Sequence, residues 1–417
     1  MYDQTVLPNG VRIVSENMPQ VRSASVGIWV GTGSRNESAK ENGAAHFIEH
    51  MLFKGTDKYS AHDLADRMDA IGGQINAYTT RESTCYYARV PDYHLSTAID
   101  LLSGMFFDSL FTPEDIDSER GVILEEIDMY DDTPEDLVVE RQIAKCFKGA
   151  LGRPILGTES TLRRLDRDAL LAFKTGNYTP GRVVVSLAGS FGSDAVSRIA
   201  ERFSEMPAAP SKRPAKGVYA PSFTLRRKAT EQNHLCLGFP GLPAGDERRF
   251  SLQVMSGIFG DGMSSRLFQT VREKHGLCYS IYSFTSGFAD AGMFGITTAL
   301  GQDTESRALS LILDEVDKLV TDGVTQAELD RTREQMKANL VMSLESTTSR
   351  MNRLGAGMLH FGEVLQPDEL IERYDAVTRD DILELARSIF IRSRMSFSAV
   401  GRIAPKEKYA EQLGMTV

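Results

Sequence analysis

The chain has 417 residues, of which 41% are hydrophobic and 25% are charged, so it has ample material for buried cores. Because single cores seldom grow beyond about 250–300 residues, we expect two domains. The formal net charge of −10 argues against a basic surface for nucleic acid or anionic lipid, and no apolar run is long enough to span a membrane. The four scattered cysteines and the absence of a signal-peptide pattern favour a reducing cytoplasm.

Hydrophobic periodicity predicts alternating groups of strands and helices. In the N-terminal half, strands are predicted at 3–16, 22–31, 74–90 and 182–189, and helices at 43–53, 60–71, 95–108, 112–130, 161–174 and 193–204. In the C-terminal half, strands are predicted at 233–239, 277–300 and 394–401, and helices at 247–258, 263–274, 304–322, 325–345 and 378–389. The dipeptide Asn9-Gly10 marks a hairpin turn within the first strand region. Strands grouped with helix pairs favour an α+β fold.

A proline-rich segment divides the chain into halves of similar length. Residues 207–221 contain four prolines and little apolar content, and we interpret them as a linker between domains 1–206 and 222–417. The segment that begins at Phe111 resembles the segment that begins at Val324, at an offset of 213 residues, and each opens a helix after a threonine. This repeat predicts two homologous α+β domains, each a mixed β-sheet covered by helices.

The most informative stretch reads H-x-x-E-H within a helical pattern, from His46 through Glu49 to His50. At about 100° per residue, these three side chains project within one arc of about 100°. Two neutral imidazoles at this spacing can occupy two corners of a tetrahedral zinc site, while the glutamate between them is free to deprotonate a water. The alternative is an ordinary amphipathic helix that carries two histidines by chance.

A further ligand should come from another element, and the acidic helix predicted at 112–130 offers candidates. Glu119 and Glu126 are seven residues apart and share a helix face, whereas Glu125 is turned about 120° from Glu119. If Glu126 were the ligand, Glu119 would lie near enough to orient an imidazole by a hydrogen bond. A solvated acidic helix face is the alternative interpretation.

These motifs resemble the inverted-motif zinc peptidases, the family of pitrilysin, insulin-degrading enzyme and mitochondrial processing peptidase. In that family a glutamate ligand follows the second histidine at the same sequence spacing as Glu126 follows His50 here. A further glutamate precedes that ligand, as Glu119 precedes Glu126. The resemblance implies one Zn²⁺ per chain, held by His46, His50 and Glu126. It also implies Glu49 as the general base and Glu119 as a residue that supports a ligand.

The stretch 73–84 is similar to the edge strand of the same family, to which the substrate backbone adds as an extra strand. The resemblance therefore implies that Asn76, Ala77 and Glu82 bind the substrate. Considered without the family, this stretch is a strand after a pair of glycines, and most such strands are structural.

The second half carries no H-x-x-E-H motif, so it must have another role. Arg272 and Tyr279 have the spacing of an arginine and a tyrosine that, in the resemblance, bind the peptide carbonyl from the metal-free half. Because both sets of motifs share one two-domain chain, the sequence is similar to half-sized bacterial-type members. This implies a homodimer in which Arg272 and Tyr279 serve the partner subunit's zinc. The missing presequence favours a cytoplasmic bacterial-type protein over a mature mitochondrial form.

The sequence therefore predicts a zinc metalloendopeptidase that cleaves unfolded peptides or presequence-like segments in an enclosed chamber. Acidic residues cluster at 128–136, directly after the predicted metal helix, and lead us to hypothesise a preference for basic peptides. Two other classes are open alternatives: a non-catalytic or partner-dependent assembly subunit of the same fold, and an iron oxygenase with two histidines and one carboxylate. A glutamate base between the histidines fits hydrolysis better.

Overall fold

The computed structural model describes residues 2–210 and 213–415, so residues 211–212 of the predicted linker lie outside the described part. The chain forms two compact units, and neither is one continuous stretch. The first unit comprises Met1–Ile127, Arg153–Ala215 and Leu340–Gln366, and the second comprises Asp128–Gly152, Lys216–Asn339 and Pro367–Val417.

The secondary structure follows the predicted order and contains additional elements. The strands are β1 (Asp3–Val6), β2 (Arg12–Asn17), β3 (Ser23–Val30), β4 (Gln74–Thr79), β5 (Thr84–Pro91), β6 (Val183–Gly189), β7 (Phe223–Arg227), β8 (Asn233–Pro240), β9 (Cys278–Gly287), β10 (Gly292–Leu300) and β11 (Ser396–Gly401). The α-helices are α1 (Ala44–Met51), α2 (Ala61–Ala70), α3 (Leu95–Asp108), α4 (Pro113–Asp131), α5 (Pro134–Cys146), α6 (Glu159–Leu162), α7 (Arg167–Asn177), α8 (Asp194–Ser204), α9 (Arg249–Gly260), α10 (Glu305–Asp322), α11 (Gln326–Ser343), α12 (Thr347–His360), α13 (Pro367–Ala376), α14 (Arg379–Ile389) and α15 (Lys406–Leu413).

Several predicted elements are divided in the structure. The predicted strands 3–16, 74–90 and 277–300 are each a pair of antiparallel strands, because a turn interrupts the alternation. The predicted helix 263–274 is shorter and becomes a π-helical segment, Phe268–Lys274. Within the part of the chain that the structure describes, no helix combines the length and the apolar composition that a membrane span requires.

The sheet of the first unit has the strand order β1-β2-β6-β3-β5-β4. Strands β2 and β6 run parallel, and the other neighbours run antiparallel. The central strands β3 and β6 are almost wholly buried, in agreement with their near-continuous apolar sequences. Strand β4 lies at one edge, so one row of its backbone groups faces away from the sheet.

The sheet of the second unit repeats this topology. Its order is β7-β11-β8-β10-β9, with β7 and β11 parallel and the remaining neighbours antiparallel. Strand for strand, this is the order β2-β6-β3-β5-β4 of the first unit, and β9 takes the edge position that β4 has there. The predicted pair of homologous α+β domains, each a mixed sheet covered by helices, is confirmed.

Two helices that the sequence analysis did not predict each pack on the sheet of the opposite half of the sequence. Helix α5 comes from the N-terminal half and packs on β8 and β11, whereas α12 comes from the C-terminal half and packs on β3 and β6. They begin at Pro134 and Thr347, which preserves the repeat offset. Helix α12 contains Gly355 and Gly357, which lower helix propensity, so it depends on packing for its stability. The two compact units are therefore not the two continuous domains that a single boundary at 207–221 would give.

Helix α12 covers a second apolar core of the first unit. Met351 and Leu354 of this helix pack with Trp29 of β3, the single tryptophan of the chain, whose indole nitrogen donates a 2.9 Å hydrogen bond to Ser186 Oγ. A Cβ atom at Gly355 would overlap the indole ring. This glycine therefore allows the close approach of the helix to the sheet.

Replacing Gly355 with alanine should lower the free energy of unfolding by about 1–3 kcal/mol, because the added methyl group overpacks against Trp29. Denaturant unfolding followed by tryptophan fluorescence measures the change, and the emission should also shift in the folded state. Gly176→Ala is the matched control, since Gly176 lies in α7 with nothing within 4 Å of the added Cβ atom. Equal stability of the two variants would show that α12 does not depend on this contact.

Candidate metal centre

The helix that carries the H-x-x-E-H motif, α1, begins at a glycine. Gly43 has φ 99°, in the left-handed region that favours glycine, and a Cβ atom there would lie 2.9 Å from the Leu156 carbonyl oxygen. The Glu37 carboxylate accepts hydrogen bonds from the backbone N–H groups of Gly43 at 2.9 Å and Ala45 at 2.8 Å, and from Asn42 Nδ2 at 2.8 Å. Glu37 thus caps the start of α1, which the glycine at this position cannot do because it has no side chain.

Sequence reasoning missed Glu37. Burial raises the pKa of its carboxyl group to about 8, against the opposing effect of the three N–H donors. The sequence does offer one signal for such a residue. The helix begins at a glycine, which has no side chain to cap it, so its free N–H groups need an acceptor from another part of the chain.

The three predicted metal ligands converge. His46 Nε2 lies 3.2 Å from His50 Nε2, and these two atoms lie 3.6 and 3.7 Å from Glu126 Oε2. Among the described residues, this is the group of histidine, cysteine and carboxylate side chains whose ligand atoms could hold a metal ion together. Helix α1 supplies the histidines and α4 supplies the glutamate, as the family resemblance implies.

The donor set fits zinc. Bonds of about 2.0–2.1 Å in a tetrahedral site place ligand atoms roughly 3.3 Å apart, close to the observed separations. Burial, with a smaller effect of the neighbouring His50, lowers the pKa of His46 to about 3, so this imidazole is neutral at pH 7 and its lone pair is available. Burial raises the pKa of Glu126, a cost that a bound cation would offset.

Glu119 lies behind the ligands. Its Oε1 atom is 2.8 Å from His50 Nδ1, and its other oxygen pairs with the Lys54 ammonium group. This arrangement directs the Nε2 atom of His50 toward His46 and Glu126, as expected of a carboxylate that orients a ligating imidazole. Lys54 was not predicted, because it lies beyond the end of α1, where the helical period no longer relates side chains.

The predicted base, Glu49, is held away from bulk water. Its side chain is buried between α1 and the edge strand β4, and its Oε2 atom accepts a 2.5 Å hydrogen bond from the Thr79 hydroxyl group. Burial raises the pKa of Glu49, while the Thr79 hydrogen bond acts in the opposite direction. A raised pKa makes a carboxylate a better proton acceptor, which is the property that a general base needs.

The predicted substrate residues have different environments. Asn76 and Ala77 lie on β4, at the edge of the sheet, and the exposed Asn76 side chain accepts a hydrogen bond from the Ala77 N–H group. Glu82 lies in the following turn, where its carboxylate pairs with the buried Arg35 guanidinium. Glu82 is thus engaged within the protein, and its contact with substrate stays a prediction.

The structure also brings Arg272 and Tyr279 together, in the second unit. Arg272 lies on the π-helical segment, with its guanidinium carbon 4.5 Å from the centre of the Phe268 ring and 4.7 Å from that of the Tyr279 ring. Tyr279 lies on the edge strand β9 and is 77% exposed. An exposed phenol beside a fixed guanidinium can meet an incoming ligand.

Part of the acidic cluster at 128–136 is neutralised internally. Lys228 Nζ lies 2.7 Å from Asp132 Oδ1 and 3.3 Å from Asp131 Oδ2, and Arg226 lies 3.6 Å from Asp131. Two of the carboxylates behind the basic-peptide hypothesis therefore already have cationic partners, which the sequence alone did not reveal.

The structure has two homologous α+β domains, and the first carries a His-His-Glu cluster that could hold a metal ion. Residues 12–159 match the family model of insulinase (Peptidase family M16), and residues 164–336 match that of the peptidase M16 inactive domain. The chain belongs to the M16 family, which confirms the resemblance to the pitrilysin-like peptidases of half size.

Relatives support this assignment, and a solved structure has the same fold. The chain is 45% identical over 396 residues to the uncharacterized zinc protease YmxG of Bacillus subtilis, covering 94% of this chain and 96% of that protein. It is 43% identical to the uncharacterized zinc protease SCO5738 of Streptomyces coelicolor, covering 98% and 91%. A crystal structure of a protease from Helicobacter pylori superposes with a TM-score of 0.90 at 19% identity, covering 96% and 99%, and so shares the fold.

Proposed function

We propose that this protein is a zinc-dependent metalloendopeptidase with one Zn²⁺ per chain. The observation that carries the proposal is the convergence of His46, His50 and Glu126 around one point, with the buried carboxylate of Glu49 on the same helix. The names of the relatives, which call them zinc proteases, support the same activity.

The residues of the site have distinct tasks in this proposal. Zinc, when bound, lowers the pKa of a water and polarises a carbonyl group. Glu49 takes the proton of the attacking water and returns it to the nitrogen of the leaving amine. Glu119, with Lys54 beside it, holds His50 in the tautomer that leaves Nε2 unprotonated.

Strand β4 supports a peptide as the substrate. An extended peptide that adds to this edge would gain backbone hydrogen bonds beside Asn76 and Ala77, and β4 ends at Thr79, which contacts Glu49. We propose unfolded or presequence-like segments, cleaved in an enclosed chamber, as the substrate class. A preference for basic peptides would depend on the carboxylates that Lys228 does not neutralise, such as Glu135 and Asp136.

The proposal includes a cytoplasmic, bacterial-type homodimer in which Arg272 and Tyr279 of one subunit serve the metal site of the other. Mixing Glu49→Gln subunits with Tyr279→Phe subunits should then restore up to about a quarter of wild-type activity through hybrid dimers that hold one intact site. Peptide hydrolysis after subunit exchange measures the recovery. Size-exclusion chromatography and a tagged subunit establish that exchange took place. Without recovery in exchanged dimers, each chain completes its own site.

Hydrolysis of a quenched fluorescent peptide of about 15–20 residues tests the activity itself, because β-strand addition requires an extended segment of several residues. The zinc-loaded protein is compared with the metal-free protein and with the Glu49→Gln variant. Cleavage at an internal bond that requires both zinc and Glu49 supports the proposal. An inert protein with zinc bound would favour the assembly-subunit alternative, and selective iron binding would favour the oxygenase.

A further inference from the structure

A short chain of threonine hydroxyl groups connects the base Glu49 to the sheet. Thr79 is the last residue of β4, and its hydroxyl oxygen lies 2.5 Å from Glu49 Oε2 and 3.2 Å from Thr84 Oγ1. Thr84 in turn lies 3.0 Å from the Thr32 carbonyl oxygen. These side chains are half-buried or buried, so bulk water competes little with the hydrogen bonds.

The direction of the hydrogen bonds follows from the donor inventory. A carbonyl oxygen only accepts, so Thr84 donates its single hydroxyl proton to Thr32. Thr84 therefore has no proton for Thr79. An ionised carboxylate also only accepts, and Thr79 must donate its proton to Glu49 Oε2.

This arrangement distinguishes the two oxygens of the Glu49 carboxylate. Oε2 accepts a hydrogen bond from the last residue of β4, so in the proposed mechanism Oε1 is the oxygen that exchanges a proton. A general base must stay within hydrogen-bond reach of the proton that it removes, and displacement of a reacting group by about 1 Å can cost 10²-fold in rate. A free carboxylate would rotate about its side-chain torsions and lose this alignment.

We propose that Thr79 is the positioning residue of the general base, and that it ties the orientation of Glu49 to the edge strand β4. The inference rests on the proposed peptidase function. Because Thr79 ends the strand to which a substrate would add, the residue that holds the base is part of the same backbone that receives the peptide. Thr79 acts through Glu49 and does not itself take part in proton transfer.

The test compares Thr79→Val, which removes the hydroxyl at similar volume and strand propensity, with Thr79→Ser, which retains it. In the zinc-loaded enzyme, kcat should fall by about 10–100-fold in Thr79→Val, with KM within about twofold and zinc content unchanged. Thr79→Ser should recover to within about fivefold of wild type. Thr5→Val is the matched control, since Thr5 is an exposed threonine on the opposite edge strand β1. Equal losses in Val and Ser, or no loss in Val, would overturn the inference.

A second measurement does not depend on activity. In a double-mutant cycle of thermal unfolding with the metal-free protein, Thr79→Val should lower the midpoint in the wild-type background but not in the Glu49→Met background, where the acceptor is gone. The same shift in both backgrounds would contradict a Thr79–Glu49 bond. If wild type cleaves no peptide while the cycle shows coupling, the proposed function fails and the contact stands. The two failures are therefore distinguishable.

Discussion

Replacing Glu49 with glutamine should lower kcat/KM for peptide hydrolysis by about 10²–10⁴-fold, the range typical of losing a general base. The glutamine amide has nearly the same shape and can still accept the Thr79 hydrogen bond, but it cannot take a proton from water. Because Glu49 lies outside the converging ligand atoms of His46, His50 and Glu126, zinc content should stay at the wild-type level. Steady-state kinetics together with metal analysis of the same sample measures both quantities.

The loss must be separated from general damage to the fold. Glu125→Gln is the matched control, because Glu125 is an exposed glutamate on α4, and it should retain wild-type rates. The unfolding midpoint of Glu49→Gln should not fall, since the substitution removes a buried ionisable group and keeps its volume. A Glu49→Gln enzyme that works within about threefold of wild type would remove Glu49 from the mechanism.

Replacing Glu126 with alanine should release the zinc. The change leaves two histidine ligands, which are too few for a protein zinc site. Loss of a residue that only hydrogen-bonds to a ligand lowers metal affinity by about 10–100-fold, and the loss of Glu126 should lower it further. Competition with a chromogenic chelator measures the zinc affinity, and hydrolysis should fall in parallel with zinc occupancy. We expect a large loss of zinc affinity because the carboxylate on α4 and the two histidines on α1 meet at one point.

Glu125→Ala tests whether this effect is specific to the ligand. The two glutamates are adjacent, but only Glu126 points to the histidines, so Glu125→Ala should bind zinc with wild-type affinity. If Glu126→Ala also retained wild-type affinity, a different group would have to complete the site, and the proposed ligand set would be wrong.

Local periodicity explains why the site was predictable. His46, Glu49 and His50 share one helical arc because they lie within about one turn, and Glu119 and Glu126 share a face because seven residues make about two turns. The meeting of α1 with α4 does not follow from helical geometry. That pairing was predicted only through the family resemblance, and the structure places the ligand atoms in agreement with it.

Other features depended on contacts between residues far apart in sequence. The cap that Glu37 provides for α1, the ion pair of Lys54 with Glu119 and the hydrogen bond of Thr79 to Glu49 follow no fixed spacing. The same holds for the cationic partners of Asp131 and Asp132, which change the interpretation of the acidic cluster.

The amino-acid sequence was sufficient to predict the fold class and the duplication, which the structure confirms, because a repeat and the local periods encode them. It also led to the residues that we propose as metal ligands and base, through a helical period and a family motif. Tertiary structure alone decided the exchange of α5 and α12 between the two sheets, and the environment of each site residue. The physical reason is that helical and strand periods relate neighbours along the chain. Burial, ion pairing and hydrogen bonding are instead set by whichever distant residues packing brings into contact.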